Sequence, residues 1–260
     1  MPCHGAAPPP THVLITGASS GLGAALARTY ARPGRRLTLW GRDAGRLDAA
    51  AASGKAKGAV VDQTIVDVTT EPQVAMAMAA ADANQPLDLV IANAGIAGAN
   101  DAPAAGADVI AVNLLGTWHT ATAAIRSMRP RRRGQLALLS SLAGERGLPG
   151  AAAYSASKAG VRVLAEAWRA ELAPVGLRVS AVCPGFVDTP LTRRNRFAMP
   201  WLLEADDAAE RIQRGLAADR ARIGFPWQLD LLTRLAARLP ADLVDPVLRR
   251  RRRPDRSAAG

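Results

Sequence analysis

Short apolar runs, rich in leucine and β-branched residues, recur along most of the chain and are separated by polar or alanine-rich segments. Runs of this length without polar alternation are typical of strands that are buried on both faces of a parallel sheet. The pattern predicts strands over residues 12–16, 37–40, 64–68, 87–92, 135–140, 177–183 and 222–225.

The segments between these strands carry the signals of helices. Pro72 stands in the first turn of one such segment and Pro174 directly follows another, and these are positions that proline favours at helix ends. Strands that alternate with helices predict an α/β fold: a doubly wound parallel sheet of the Rossmann type, with about seven strands and helices on both faces. The predicted helices include 23–31, 43–52, 71–83 and 154–173.

The 260 residues are expected to form one domain, because α/β folds of this length routinely do and hydrophobic residues make up 49% of the chain. We predict a flexible amino-terminal segment over 1–10 and a Rossmann-fold domain that carries the chemistry over 11–226. Residues 227–260 are predicted to add a helical extension and a basic tail to the same domain.

The composition favours a soluble, cytoplasmic protein, since the chain shows neither a leader-like start nor an apolar run of membrane-spanning length. Its two cysteines, Cys3 and Cys183, are expected to be reduced thiols and not metal ligands. The formal charge is +11, mostly from arginine. The run of five arginines at 249–253 is expected to be a solvated tail, with contact to anionic lipid or nucleic acid as the alternative.

The first predicted strand leads directly into a glycine-rich turn and then into a helix, which is the context that a dinucleotide-binding motif requires. Glycine lets the backbone approach a pyrophosphate closely, while the free N–H groups and the positive end of the helix stabilise its negative charge. A plain glycine-rich turn is the structural alternative. The residues predicted to bind the cofactor here are Gly17, Ser19, Ser20, Gly21, Leu22 and Gly23.

A tyrosine and a lysine stand four residues apart, at Tyr154 and Lys158, within the last of the predicted helices. This spacing places the phenol and the ammonium on one face of the helix. A nearby ammonium favours the phenolate and lowers the pKa of tyrosine from about 10 towards the range in which a proton donor works well. The pair is therefore predicted to serve general acid and base catalysis, with a purely structural helix pair as the alternative.

These two motifs, in this order, resemble those of the short-chain dehydrogenase/reductase family, specifically its compact single-domain branch. The resemblance covers residues 11–189 and extends more weakly beyond. It implies that Tyr154, Lys158, Asn113 and Ser141 form the catalytic set, with Ser141 binding the substrate oxygen and Asn113 holding a water that passes protons to the lysine. Ser140 is the adjacent alternative to Ser141, because only one of two successive strand residues faces a given side.

The resemblance also assigns further residues to the cofactor at the carboxyl ends of the strands, where such folds bind ligands. One group would contact the adenine side, a second follows the fourth strand, and a third would hold the nicotinamide carboxamide. These residues are Asp67, Val68, Asn93, Ala94, Gly95, Pro184, Gly185, Val187 and Thr189, together with Tyr154 and Lys158.

NADP(H) is favoured over NAD(H). A protein that prefers NAD is expected to place a carboxylate after the second strand, to bind the ribose hydroxyls, and Gly41 stands there instead. Arg42, with the hydroxyls of Ser19 and Ser20, is predicted to bind the 2′-phosphate through charge-assisted hydrogen bonds. The alternative is that Arg42 and Asp43 only open the next helix, and a shifted strand end would bring the Asp43 carboxylate to the ribose.

The predicted activity is a reversible hydride transfer between the nicotinamide of NADP(H) and a carbonyl or secondary alcohol, with Tyr154 as general acid and base. A redox-sensing regulator that binds NADP without catalysis is one alternative, and an enoyl or imine reductase of the same fold is another. By resemblance, the region that closes over the substrate is the one that diverges most within the family, so it does not identify the substrate. Its residues include Arg193, Arg194, Arg196, Phe197, Met199 and Trp201.

The expected partners are a small carbonyl or alcohol substrate and a second copy of the chain. By resemblance, the homodimer would form through the helices that contain Asn113 and Tyr154. The carboxyl-terminal extension puts tetramer packing in doubt, since tetrameric relatives usually end near the last strand. No nucleic acid is expected as a partner, and peripheral membrane contact through the basic carboxyl-terminal helix is the remaining option.

Overall fold

The computed structural model describes residues 8–97, 103–194 and 197–251. Seven parallel strands form one sheet. In chain order they are β1 (His12–Thr16), β2 (Arg36–Gly41), β3 (Val60–Ile65), β4 (Leu89–Ala92), β5 (Gly134–Leu139), β6 (Leu177–Pro184) and β7 (Arg222–Phe225). Their order in the sheet is β3-β2-β1-β4-β5-β6-β7, so the chain starts in the middle and winds outward in both directions. The predicted doubly wound Rossmann-type fold is confirmed.

Helices cover both faces of this sheet. They are α1 (Gly21–Tyr30), α2 (Ala44–Ala56), α3 (Glu71–Asn84), α4 (Pro103–Ile110), α5 (Gly116–Met128), α6 (Ala152–Leu172), α7 (Ala205–Ala217), α8 (Trp227–Arg238) and α9 (Ala241–Arg251). One π-helical turn, Ala111–Leu115, joins α4 to α5.

Two hydrophobic cores lie on opposite faces of the sheet, and the central strand contributes to both. Val13 and Ile15 pack in the core that α1, α2 and α7 complete, whereas Leu14 packs in the core under α3, α5 and α6. All three side chains are fully buried. A strand that is buried on both faces does not alternate polar and apolar residues, and for this reason the central strands appear in the sequence as continuous apolar runs.

The third strand is displaced from its prediction, which was wrong over most of its length. We expected it over 64–68, whereas β3 covers Val60–Ile65, and Asp67 and Val68 lie beyond its end and not at it. At this edge of the sheet Val60 and Ile65 are about half exposed, so the strand itself carries a weak apolar signal. The stronger signal comes from Val66 and Val68, which are buried in the core under α3 and α5.

The carboxyl-terminal extension is helical over the described residues, as α8 and α9. The amino-terminal residues 1–7 and the tail residues 252–260 lie outside the described part of the chain, so their expected flexibility and solvation stay predictions. Among the helices of the described residues, none is both long enough and apolar enough to cross a bilayer.

Candidate active site

The site opens where the winding direction reverses. β1 lies between β2 and β4, so the connections from the carboxyl ends of β1 and β4 leave on opposite sides and form a crevice between them. The cleft at this edge has a volume of about 440 Å³.

The glycine-rich turn after β1 is shaped for close approach of a ligand to the backbone. Gly17 and Gly21 have φ angles of +66° and +52°, a region that favours glycine. A Cβ on Gly23 would lie 2.1 Å from the carbonyl oxygen of Gly17, so only glycine lets α1 begin this close to the turn. The turn thus directs the amino terminus of α1, with its unpaired N–H groups, into the cleft, which fits a pyrophosphate.

The turn is tied to the end of β4 by a set of hydrogen bonds. The hydroxyl of Thr16 accepts from the backbone N–H groups of Asn93 and Ala94, both at 3.0 Å, and the Asn93 amide donates to the Thr16 carbonyl at 2.9 Å. The side chain of Asn93 therefore holds the two walls of the cleft together. Thr16 was not among the predicted site residues, although its place before the first glycine is the signal that marks it.

The corner after β2 contains two arginines. β2 ends at Gly41, as the sequence argument required, and Arg42 and Arg46 both line the cleft. Asp43 caps α2: its carboxylate accepts from the Arg46 backbone N–H at 3.0 Å and from the Arg46 Nε at 2.6 Å, and these bonds lower its pKa. Arg46 was missed by the sequence analysis; its spacing of four from Arg42 is the available signal.

Next to this corner, Asp67 and Val68 line the cleft in spite of the shifted strand. The Asp67 carboxylate accepts hydrogen bonds from the Thr69 backbone and hydroxyl, at 2.9 and 2.7 Å, and these lower its pKa, with the charge of Arg42 acting in the same direction. Arg42 and Asp67 therefore line neighbouring parts of the same cleft, close enough for the charge of Arg42 to act on the Asp67 carboxylate.

Tyr154 lies in the first turn of α6 and is partly buried in the cleft, beside Ser141 from the end of β5. Burial raises the pKa of the Tyr154 phenol, and its hydrogen bond with the Ser141 hydroxyl partly offsets this. We expected the Lys158 ammonium to lower the pKa of Tyr154, but the structure shows no such effect. Instead the Lys158 Nζ donates to the carbonyl oxygen of Leu139 at 2.8 Å and lies 5.8 Å from the centre of the Tyr154 ring.

The Lys158 ammonium is almost completely buried. Burial lowers its pKa to about 8, with the neighbouring Cys183 acting in the opposite direction. The side chain therefore still carries a proton at neutral pH, but holds it less tightly than an exposed lysine would. The Lys158 ammonium and the Tyr154 phenol both line the cleft, where a bound ligand could contact them.

Asn113 lies in the π-helical turn between α4 and α5 and is fully buried. Its side chain brackets Ile96, accepting from the Ile96 N–H at 2.8 Å and donating to the Ile96 carbonyl at 3.0 Å, and it donates to the Ser157 hydroxyl at 3.1 Å. A Cβ on Gly95 would lie 3.2 Å from the Asn113 Oδ1 and 3.4 Å from the Lys158 Nζ. Asn113 thus fixes the segment after β4 close to the lysine, while its amide is occupied by protein partners.

The segment after β6 forms the far wall. The backbone N–H of Gly185 donates to the Phe225 carbonyl at 2.7 Å, and Thr189 approaches Gly21, whose Cβ would lie 3.1 Å from the Thr189 Cβ. In the segment after Thr189, which is expected to close over the substrate, the Arg193 guanidinium forms an ion pair with the Asp188 carboxylate at 2.7 Å. The predicted residues Arg194 and Arg196 lie outside the residues whose side chains are described.

All the residues predicted to bind the cofactor line this one cleft, as do Ser141, Tyr154 and Lys158, and Asn113 lies directly behind it. The sequence analysis missed part of the apolar lining, whose residues carry no polar signal. The additional lining residues include Val66, Ile96, Ala97, Val112, Pro190 and Leu191.

Comparison with known proteins gives a consistent result. The family model described as short chain dehydrogenase matches residues 11–199. An uncharacterized oxidoreductase of Myxococcus xanthus (strain DK1622) is 42% identical over 244 residues, which cover 92% of this chain and 96% of that protein. Among solved structures, the chain is similar to a short-chain dehydrogenase from Sphingobium yanoikuyae in complex with NADPH, with a TM-score of 0.77, 27% identity and coverage of 95% and 98% of the two chains.

A structure of actinorhodin polyketide ketoreductase with NADPH is also similar, with a TM-score of 0.76, 27% identity and coverage of 84% of this chain and 97% of the other. The doubly wound sheet and the glycine-rich turn at its switch point define a dinucleotide-binding fold. The matches identify the family: the chain belongs to the short-chain dehydrogenase family. It is an oxidoreductase that acts on alcohol and carbonyl groups. The resemblance inferred from the sequence motifs is confirmed.

Proposed function

We propose that the protein is an NADP(H)-dependent reductase that converts a carbonyl group to a secondary alcohol and catalyses the reverse reaction, with Tyr154 as general acid and base. The observation that carries this proposal is that Tyr154, Ser141 and Lys158 lie in the same cleft as the glycine-rich turn. The two similar structures that contain NADPH support the choice of cofactor.

Each residue of the site has a separate role in the proposed reduction. Bound NADPH would supply the hydride that adds to the carbonyl carbon. The Ser141 hydroxyl would donate a hydrogen bond to the carbonyl oxygen, and the Tyr154 phenol would give that oxygen its proton, so that hydride and proton together yield the alcohol. Because the Tyr154 pKa is raised, the phenol keeps its proton at neutral pH and serves as an acid in the direction of reduction. Lys158, whose Nζ lies 5.8 Å from the centre of the Tyr154 ring in the same cleft, would contact the bound cofactor.

The substrate side is tested by measuring NADPH consumption with a panel of ketones, aldehydes and quinones, next to a panel of enoyl thioesters and cyclic imines. Turnover confined to the carbonyl panel supports the proposal. Turnover confined to the enoyl or imine panel would contradict it, and tight NADPH binding without turnover on any of these compounds would favour a redox-sensing regulator.

The preference for NADP(H) is argued from Arg42 after β2 and Ser19 in the glycine-rich turn, both of which line the cleft. Gly41 stands where an NAD-preferring protein is expected to place a carboxylate, and the nearby Asp43 carboxylate is held by Arg46 as the cap of α2. Replacing Arg42 by Asp adds a negative charge next to the 2′-phosphate and removes a positive one. We expect the ratio of kcat/KM for NADPH to that for NADH to fall at least about tenfold, the equivalent of one charge-assisted hydrogen bond.

Arg32→Asp makes the same change of charge at an exposed position outside the cleft and is the matched control. It should leave the cofactor ratio as in the wild type. Equal ratios in the wild type and Arg42→Asp would refute the assignment of Arg42 to the phosphate.

A further inference from the structure

The outer sides of α8 and α9 carry apolar side chains that nothing in the described part of the chain covers. Within α8 and within α9 they recur every four residues, which places them on one face of each helix, and one more lies in the connection between the two helices. They are Trp227, Leu231, Leu235, Leu239, Leu243 and Val247, each between 48% and 69% exposed. Exposed apolar side chains grouped in this way mark a binding surface more often than a solvated one.

The inner sides of the same helices are firmly attached to the body of the protein. Arg222 of β7 bridges Glu145 at 2.9 Å and Asp230 of α8, and all three side chains are largely buried. Arg146 donates to the carbonyl oxygens of Ala236 and Leu239 at the end of α8, both at 3.0 Å. These contacts fix which face of α8 is turned outward.

Further apolar contacts complete the attachment. The side chain of Leu229 packs against Gly185, whose Cβ would lie 3.0 Å from it, and Val244 of α9 is only 9% exposed. The exposed row is therefore the outer face of a docked pair of helices, and its residues cannot turn inward without loss of these contacts.

The charge of the extension favours an anionic partner. Residues 227–260 contain eight arginines and four aspartates, a net charge of +4, and five of the arginines follow one another at 249–253. Two of the aspartates are paired with arginines of the body, Asp230 with Arg222 and Asp245 with Arg146 at 3.8 Å. An apolar helix face followed by a basic run is the pattern of helices that lie in the interface of a bilayer containing anionic lipid.

A second copy of this chain is a poorer partner for the same face. Each copy has a formal charge of +11, so pairing two extensions would bring charges of the same sign together. A bilayer surface rich in phosphate attracts that charge and accepts the apolar side chains at the level of its headgroups.

We propose that α8 and α9 dock the protein on the surface of a bilayer that contains anionic phospholipid. The apolar row enters the interface, and the arginines that follow it contact lipid phosphates. This inference does not depend on the proposed activity, and it assigns the extension a role as a peripheral membrane anchor.

The test is co-sedimentation of the full-length protein with vesicles of phosphatidylcholine alone and of phosphatidylcholine mixed with phosphatidylglycerol. We expect at least about tenfold tighter binding to the mixed vesicles, because each arginine near an anionic surface adds to the attraction. Binding should weaken as salt is added, because salt screens that attraction. Weak binding to both compositions, or equal binding to both, would overturn the proposal.

Two variants separate the apolar from the basic contribution. Leu231→Asp combined with Leu235→Asp, and replacement of the five arginines at 249–253 by glutamine, should each reduce binding to mixed vesicles at least about tenfold. Met76→Asp changes a side chain that is 75% exposed on α3 and should bind as the wild type does. Because the glutamine variant leaves the leucine face intact, it tests the proposal even where the aspartate variant fails to fold.

Two further outcomes would assign the surface to another partner and contradict the proposal. If the wild type does not bind vesicles, and the Leu231→Asp, Leu235→Asp variant has a smaller mass in solution than the wild type, the apolar row is an interface between copies of the chain. Binding of a labelled DNA duplex that depends on the arginines but not on the leucines, without vesicle binding, would make the tail a nucleic-acid contact.

Discussion

Two neighbouring serines at the end of β5 have opposite surroundings. The Ser140 hydroxyl is buried and donates to the carbonyl oxygen of Lys158 at 2.7 Å, so it supports the packing of α6. The Ser141 hydroxyl lies on the cleft side, hydrogen-bonded with the Tyr154 phenol, and accepts from the Ala143 N–H at 3.1 Å. The alternation of side chains along a strand predicts this division, and it makes the two serines controls for each other.

Replacing each serine by alanine should therefore have different effects. Ser141→Ala removes a donor to the substrate oxygen, and we expect kcat to fall by about 10²-fold with little change in stability. Ser140→Ala leaves a hydrogen bond unmade in the interior and should lower the free energy of unfolding by about 1 kcal/mol while retaining most of kcat. Steady-state kinetics and urea unfolding measure both. A larger loss of kcat in Ser140→Ala would reverse the assignment.

The pKa of Tyr154 could not be predicted from the spacing of Tyr154 and Lys158 alone. The spacing of four correctly places the phenol and the ammonium on one helix, but it does not specify what else each group contacts. The Lys158 ammonium finds the Leu139 carbonyl, a contact that depends on how α6 packs against β5. Burial then dominates the pKa of the phenol, and the depth of a side chain in a cleft is a property of the tertiary structure.

At the scale of elements, the strands with both faces buried were well predicted. β1 was predicted at its exact bounds, and β2 and β6 to within one residue at either end, because their apolar runs end where the buried layer ends. β3 was misplaced because an exposed edge strand shows little apolar pattern, whereas the buried loop after it shows more. The π-helical turn that carries Asn113 has no local signature in the sequence.

One of the side chains that attach α8 to the body, Arg146, could not be identified from the sequence. Arg146 donates to two carbonyl oxygens at the end of α8: that of Ala236, which also accepts from the Leu239 N–H, and that of Leu239. Arg146→Ala should loosen α8 and α9, seen as faster amide hydrogen exchange over residues 227–251.

Exchange in the central strands of Arg146→Ala should stay unchanged, because the Arg222 bridge and the sheet remain intact. Arg211→Ala, at an exposed arginine on α7, is the control and should leave exchange in α8 and α9 as in the wild type. Unaltered exchange over these helices in Arg146→Ala would show that Arg146 does not hold them.

At the scale of the whole molecule, the order of motifs along the chain was sufficient to predict the sheet and the cleft. Most of the residues predicted to bind the cofactor lie at or soon after the carboxyl end of a strand, and the doubly wound topology brings these strand ends to one edge. Tyr154 and Lys158 lie on α6, which follows β5. The substrate stays unidentified because the closing region after Thr189 is loop-rich, and the contacts of a loop depend on the ligand it meets.

The homodimer expected by resemblance has a candidate surface on α5 and α6. Trp118 and Val163 are 44% and 53% exposed there, and the Trp118 ring lies 5.2 Å from that of Trp168. We predict that Trp118→Arg converts the dimer to a monomer, because a charge buried in an apolar interface without a partner is costly. Light scattering coupled to size exclusion gives the mass.

Trp227→Arg is the matched control for this prediction, since it makes the same substitution at an exposed tryptophan on α8. It should leave the mass of the dimer unchanged. A monomeric Trp227→Arg beside a dimeric Trp118→Arg would move the interface to the carboxyl-terminal helices.

The central claim is that Tyr154 supplies the proton for carbonyl reduction. The most direct test is a paired measurement on Tyr154→Phe: kcat with a ketone that the wild type reduces, and the dissociation constant for NADPH. We predict a loss of kcat of about 10²-fold or more, because the transferable proton is gone, and an NADPH affinity within a few fold of the wild type. A Tyr154→Phe enzyme that keeps the kcat of the wild type would contradict the mechanism.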